Sequence, residues 1–162
     1  QGQTGSHDPT GRVYRVSTDG RIDCLINNGN SPNGIVLDPK DKVLFVAMTR
    51  ANCMWHAPLK PGGGVAKVGV FALLPGMHDP DGLAMDEAGN LLVAHPRVRI
   101  IWLFDPIGAP ILQIQGKSKN SRMTNMAYGG ADRKTLYIVD SYSGEVLTAK
   151  MPVAGKVLYS HI

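Results

Sequence analysis

Residues 33–49 read NGIVLDPKDKVLFVAMT. A polar Asn-Gly pair opens a short apolar run. A turn built from Asp, Pro and Lys follows, and then a second run of bulky and β-branched residues. That is the pattern of two strands joined by a tight turn. The pattern returns at residues 81–96, DGLAMDEAGNLLVAHP, and at residues 125–141, NMAYGGADRKTLYIVDS. The three starts (33, 81 and 125) lie 48 and 44 positions apart. Each copy is followed by a second strand pair, at 54–59 with 66–74, 100–105 with 110–115, and 145–151 with 156–161. Four strands per unit at a period of about 40–50 residues is the signature of a β-propeller blade. No window sustains apolar residues at helical spacing, and Gly or Pro interrupts nearly every long stretch.

The repeat divides the chain. Residues 31–76, 77–120 and 121–162 read as three four-stranded blades. Before them, GRVYRVSTDG and RIDCLINN supply only the outer hairpin of a fourth, within residues 1–30. The expected fold is therefore all-β, with about three and a half blades. An open arc of blades leaves faces and strand edges uncovered. The remaining blades are expected from an upstream segment or from a second copy of the chain.

Composition narrows the function classes. Of 162 residues, 43% are hydrophobic and 19% charged, which suits a globular domain. No apolar run approaches the ~20 residues of a membrane span, and the start shows no signal-peptide pattern. The net charge of +4 is scattered, with a small cluster at Lys117, Lys119 and Arg122, and aromatics make up 6%. A nucleic-acid surface needs a denser basic stripe interleaved with aromatics. Neither nucleic acid nor membrane is expected as a partner. Cys24 and Cys53 form no CxxC motif. They read as buried small hydrophobes of a reducing, cytoplasmic protein, with a disulfide as the alternative.

The repeat also points to a site. The first strand of a propeller blade lines the central channel, so equivalent residues at its start meet at one channel mouth. Asn33, Asp81 and Asn125 hold that position, and the returning strands bring Thr49, His95 and Ser141 to the same end. One carboxylate with amide oxygens is a hard-cation donor set. The plainer account is that Asn or Asp before Gly forms turns. The shared register of PNG and PDG, each just ahead of its channel strand, sets a metal site level with that account. By contrast Asp38, Asp86 and Asp132 fall in the turns at the far end.

SPNGIVLDPKDKVLFVAMT, DPDGLAMDEAGNLLVAH and TNMAYGGADRKTLYIVDS together resemble the gluconolactonase, senescence-marker-protein (regucalcin) and luciferin-regenerating-enzyme family. The likeness runs from TGRVYRVSTDG to the end. It implies a six-bladed propeller holding one divalent cation, Ca²⁺ ahead of Zn²⁺, Mg²⁺ or Mn²⁺. It assigns Asn33 and Asp81 as metal ligands and places a third ligand, a Glu, upstream of this chain, so the chain by itself lacks a complete site. It implies hydrolysis of a sugar-type lactone, with Asp81 as the catalytic proton acceptor. Asn125 would then bind substrate, with Thr49, His95 and Ser141 as further substrate contacts. A structural hydrogen bond is an equal role for His95.

Other signals carry less. GKS at 116–118 lacks the leading Gly of a phosphate loop. Asp79 and Asp81 lack the remaining ligands of an EF-hand. Ser141, His95 and Asp140 have no GxSxG elbow. His78 reads as loop. The competing functions are a non-catalytic interaction scaffold and a related propeller hydrolase or synthase, such as an organophosphate hydrolase.

Overall fold

A computed structural model describes residues 5–77 and 79–159. These residues form four antiparallel sheets, met in sequence order. β1 (Gly11–Val16) and β2 (Ile22–Gly29) form a two-stranded hairpin. β3 (Pro32–Leu37), β4 (Val43–Met48), β5 (Cys53–Pro58) and β6 (Gly69–Leu73) form a four-stranded sheet in that order. β7 (Leu83–Met85), β8 (Leu91–His95), β9 (Ile100–Phe104) and β10 (Pro110–Gln115) repeat it. β11 (Met123–Gly129), β12 (Thr135–Asp140) and β13 (Glu145–Lys150) make a three-stranded sheet. In the described residues helical structure is confined to short pieces, among them two 3₁₀ turns at Thr49–Ala51 and Pro96–Val98. No helix of these residues is long and apolar enough to cross a membrane.

The sheets stack face to face, and this explains the continuous apolar runs. On β8, Leu91 and Val93 enter a core shared with Phe45, Ala47 and Met54 of the preceding sheet. Leu92 and Ala94 point the other way, into a core with Met126, Leu136 and Ile138. β4 is split in the same manner. Phe45 and Ala47 face forward, while Leu44, Val46 and Met48 face back onto Val13, Leu25 and Ile26 of the first hairpin. Side chains alternate along a strand, so a strand covered on both faces needs apolar residues at every position. VLFVAM and LLVAH have that character. β10 and β13, farthest from the centre, are mostly exposed.

The turns between first and second strands are pinned by their own carboxylates. Asp38 Oδ1 accepts from the Lys42 and Val43 amides at 2.6 and 2.8 Å. Asp86 accepts from the Ala88 and Asn90 amides and from the Asn90 side chain at 2.7–3.0 Å. Asp132 accepts from the Lys134 amide at 2.9 Å.

The innermost strands lie side by side, β3 against β7 and β7 against β11. Backbone hydrogen bonds stitch these seams: the Gly34 amide donates to Asp81 O at 3.0 Å and the Gly82 amide to Thr124 O at 2.9 Å. A Cβ on Gly34 would stand 2.2 Å from Asp81 O, and one on Gly82 2.3 Å from Asn125 Oδ1. Neither glycine has a positive φ. The repeated Gly is there for close approach between sheets, not for a turn.

Two expectations fail. The fourth strand expected over residues 156–161 does not form among the described residues, and 160–162 lie outside them. After β13 the chain crosses to the turn end. The Gly155 amide donates to Arg133 O at 2.8 Å, the Glu87 amide to Ala154 O at 2.9 Å, and the Lys156 amide to Met85 O at 3.0 Å. Pro152 cannot donate to a ladder, and Gly155 lies so close to Tyr128 that a Cβ there would be 2.2 Å from the Tyr128 Cβ. Both residues favour the crossing over a hairpin. Nor is Cys24 buried: it and Cys53 are both free thiols, Cys53 buried and Cys24 exposed. Cys24 pairs across from Tyr14 on the hairpin face that no other described sheet covers.

Candidate metal centre at the channel mouth

Asn33 and Asn125 lie inside their strands, not ahead of them. Asn33 is the second residue of β3 and Asn125 the third of β11. Both sit at register irregularities, between Pro32 and Ile35 and between Met123 and Asn125. A bulge breaks the ladder and re-aims a side chain, which is how a strand residue is turned toward a site. Asp81 precedes the short β7, and is held because its amide donates to Ala94 O at 2.9 Å.

The seam between the two four-stranded sheets gathers Asn33, Thr49 and Asp81. Asn33 Nδ2 donates to Thr49 Oγ1 at 3.3 Å, and Thr49 Oγ1 donates to Pro80 O at 2.8 Å. Thr49 thus ties the Asn33 side chain to the backbone beside Asp81. The Asp81 carboxyl is half-buried and its pKa is raised, first by that burial and then by the nearby Asp79 charge. A hydrogen bond with the Asn33 side chain opposes the rise. Asp79 itself is paired with Arg97 at 3.3 Å. Asn125 joins through Gly82, which packs directly under its side chain, while its Oδ1 accepts from the Met126 amide at 2.9 Å.

The other two sequence candidates are engaged elsewhere. His95 is fully buried. Trp102 Nε1, a donor only, bonds His95 Nδ1 at 3.3 Å, so Nε2 carries the proton and donates to Met77 O at 2.8 Å. Burial lowers its pKa, against the Met77 carbonyl and Asp79, which favour the charged form. A substrate contact from this ring would first have to break one of those bonds. Ser141 is exposed, and both its hydroxyl and its amide donate to Arg122 O, at 3.2 and 2.9 Å. Asp140 accepts from the Arg122 and Tyr142 amides. Ser141 and Asp140 both bond the Arg122 backbone while His95 is held by Trp102 and Met77, so the three form no triad. His78 lies outside the described residues.

Among the described residues no three His, Cys, Asp or Glu side chains cluster as a metal site. The mouth offers one carboxylate and one amide oxygen from adjacent strands. This oxygen-only set fits a hard divalent cation and leaves further coordination to other groups. The positioning role of Thr49 was missed by pattern reading. Its one sequence signal is its place at the end of the strand that returns to the mouth.

Antiparallel sheets stacked in chain order, with their first strands side by side around a polar mouth, define an all-β protein of propeller type. The chain belongs to the SMP-30/gluconolactonase/LRE-like family, whose profile matches residues 1–142. It is 36% identical over 114 residues to lactonase drp35 of Staphylococcus aureus, covering 67% of this chain and 35% of that protein. It is 27% identical over 156 residues to diisopropyl-fluorophosphatase of Loligo vulgaris, covering 92% and 49%. The chain thus spans between a third and a half of the length of these relatives. Among solved structures, regucalcin of Agrobacterium tumefaciens, a calcium-binding protein, superposes with a TM-score of 0.74 at 21% identity, covering 95% of this chain and 56% of that one.

Proposed function

We propose that the chain supplies part of the active site of a divalent-cation-dependent lactone hydrolase built on a six-bladed propeller. Residues 31–76, 77–120 and 121–162 then act as successive blades and residues 1–30 as an outer hairpin. The observation that carries the reading is the convergence of Asn33, Thr49 and Asp81 across one seam. The family and its lactonase-named member support the reaction class.

Asn33 and Asp81 would hold the cation, with a carboxylate from outside these residues as a further ligand. Ca²⁺ suits the donor set and is the ion named for the regucalcin structure. A bound cation would polarise the lactone carbonyl and lower the pKa of a water. The Asp81 carboxylate receives the proton of the attacking water, and the residue is held by its backbone N–H, which donates to Ala94 O. Thr49 keeps Asn33 facing the seam. Asn125 reaches substrate hydroxyls or the ring oxygen from the next blade. The two free cysteines support a cytoplasmic setting.

The test is lactone hydrolysis with and without Ca²⁺ by the full-length protein that carries this chain, as wild type and as Asp81→Ala. We expect cation-dependent activity that falls more than about 100-fold in the variant. Equal activity in the two proteins would refute it. A second reading, hydrolysis of a fluorophosphate-type ester at the same mouth, draws on the relative whose match extends over 92% of the chain.

A further inference from the structure

Asn33 is followed directly by Gly34. A backbone nitrogen that follows asparagine can attack the side-chain carbonyl carbon of that asparagine, and glycine hinders the approach least. The backbone N–Cγ bond forms and the Cγ–Nδ2 bond breaks. The amide leaves as ammonia, carrying the proton that the backbone nitrogen gave up. Water then opens the cyclic imide at one carbonyl or the other and leaves aspartate or isoaspartate. Water is the only co-reactant.

The fold holds both partners of that attack. The nucleophile, the Gly34 amide, donates to Asp81 O on the neighbouring sheet at 3.0 Å. The leaving group, Asn33 Nδ2, donates to Thr49 Oγ1 at 3.3 Å, and Thr49 is tied in turn to Pro80 O at 2.8 Å. Backbone atoms of Asp81, Gly82 and Leu83 fill the space beside Gly34, 2.2–2.8 Å from where a Cβ would stand. The Gly34 nitrogen cannot turn onto Asn33 until β3 and the segment leading into β7 part. Every group in this arrangement belongs to the described residues, so the protection needs no other part of the protein.

We propose that Asn33 is a deamidation site gated by this seam. The closed seam keeps the amide intact, and each opening exposes it to conversion into a carboxylate. The gating does not rest on the metal reading; only its consequence does. Aspartate would set a second carboxylate beside Asp81. Two such groups repel with no cation between them and together hold a hard cation more strongly. Isoaspartate, with a backbone one carbon longer, would move Gly34 out of register with Asp81 O.

The test incubates the full 162-residue chain at mildly alkaline pH without added metal, so it needs neither turnover nor a complete site. Peptide mapping by mass spectrometry follows aspartate and isoaspartate at Asn33. Asn28, exposed on β2 and also followed by a glycine, is the internal reference. Conversion at Asn33 should be at least about tenfold slower in the native chain than in the chain unfolded by urea, because reaction waits on local opening. Thr49→Val, with a melting curve that shows it folded, frees the Asn33 amide and should raise the native rate at Asn33 several-fold relative to Asn28. Equal rates at Asn33 in native and unfolded chains, or an unchanged ratio to Asn28 in Thr49→Val, would each overturn the proposal. In the full-length protein, a deamidated fraction that bound Ca²⁺ as the intact one does would sink the metal reading at Asn33 and leave the gated chemistry standing.

Discussion

The two ends of the stacked sheets carry the same residue types in different company. At the turn end, Asp38, Asp86 and Asp132 each accept from backbone amides of their own turn. At the mouth, Asn33 and Asp81 face each other across a seam between sheets, and Thr49 bridges them. An acidic or amide residue beside a glycine is therefore uninformative by itself. What separates structure from site is the partner. A carboxylate committed to the amides of its own turn is already held in a structural role. One facing another sheet's side chain, partly out of water, has capacity for a cation.

That contrast predicts opposite phenotypes. Asp81→Ala should abolish most activity while leaving the melting temperature within a few degrees of the wild type. Asp86→Ala should do the opposite. It removes a buried carboxylate and strands the Ala88 and Asn90 amides, at about 3 kcal/mol, with turnover per folded molecule kept. Denaturant melts and kcat/KM on both proteins check this, and a shared phenotype would erase the distinction between the ends.

Gly82→Ala probes the seam itself. Its new Cβ meets Asn125 at the mouth and should cost about 1–3 kcal/mol of stability, together with some activity because Asn125 must move. Gly144→Ala is a control for strain without crowding, since Gly144 has a positive φ of 71° and nothing within 4 Å of its missing Cβ. It should lose about 1 kcal/mol and no activity.

Thr49→Val keeps shape and loses the hydroxyl that links Asn33 to Pro80 O. Cation affinity should fall about tenfold with little change in stability, as measured by calorimetry. The smallest effect concerns His95. Its folded pKa lies below its ordinary 6.5 because it is buried, so below pH 6.5 the unfolded chain binds a proton that the native one resists. Stability should be insensitive to this group above pH 6.5 and should fall as the pH drops below it, by at most about 1.4 kcal/mol per pH unit. In His95→Gln that component of the acid slope should vanish from pH-dependent melts.

The same contrast explains how much was legible in the sequence. β4 and β8 could be read because strands covered on both faces must be apolar throughout. The hairpins could be read because Asp, Gly and Pro mark their turns. Asn33, Asp81 and Asn125 could be picked out because the repeat puts them in register. The bulges at Asn33 and Asn125 could not, because a bulge is a property of the pairing and has no residue signature here. The crossing at 151–156 was hidden because the repeat predicted a strand, and only the contacts of Gly155 with Tyr128 and Arg133 show why none forms. Thr49 looked like a substrate contact because its hydrogen bonds run to residues 16 and 31 positions away, beyond any local pattern. The role of Gly34 and Gly82 was likewise masked, since Asn-Gly and Asp-Gly usually announce a turn.

The central claim is that Asn33 and Asp81 together hold one divalent cation. Calorimetric titration of Ca²⁺ into the full-length protein that carries this chain, as wild type, Asn33→Ala, Asp81→Ala and Asp86→Ala, tests it most directly. The account predicts one site in the wild type, retained in Asp86→Ala and weakened at least about tenfold in each of the two mouth variants. Equal Ca²⁺ affinity in all four proteins, or no binding by the wild type, would contradict it.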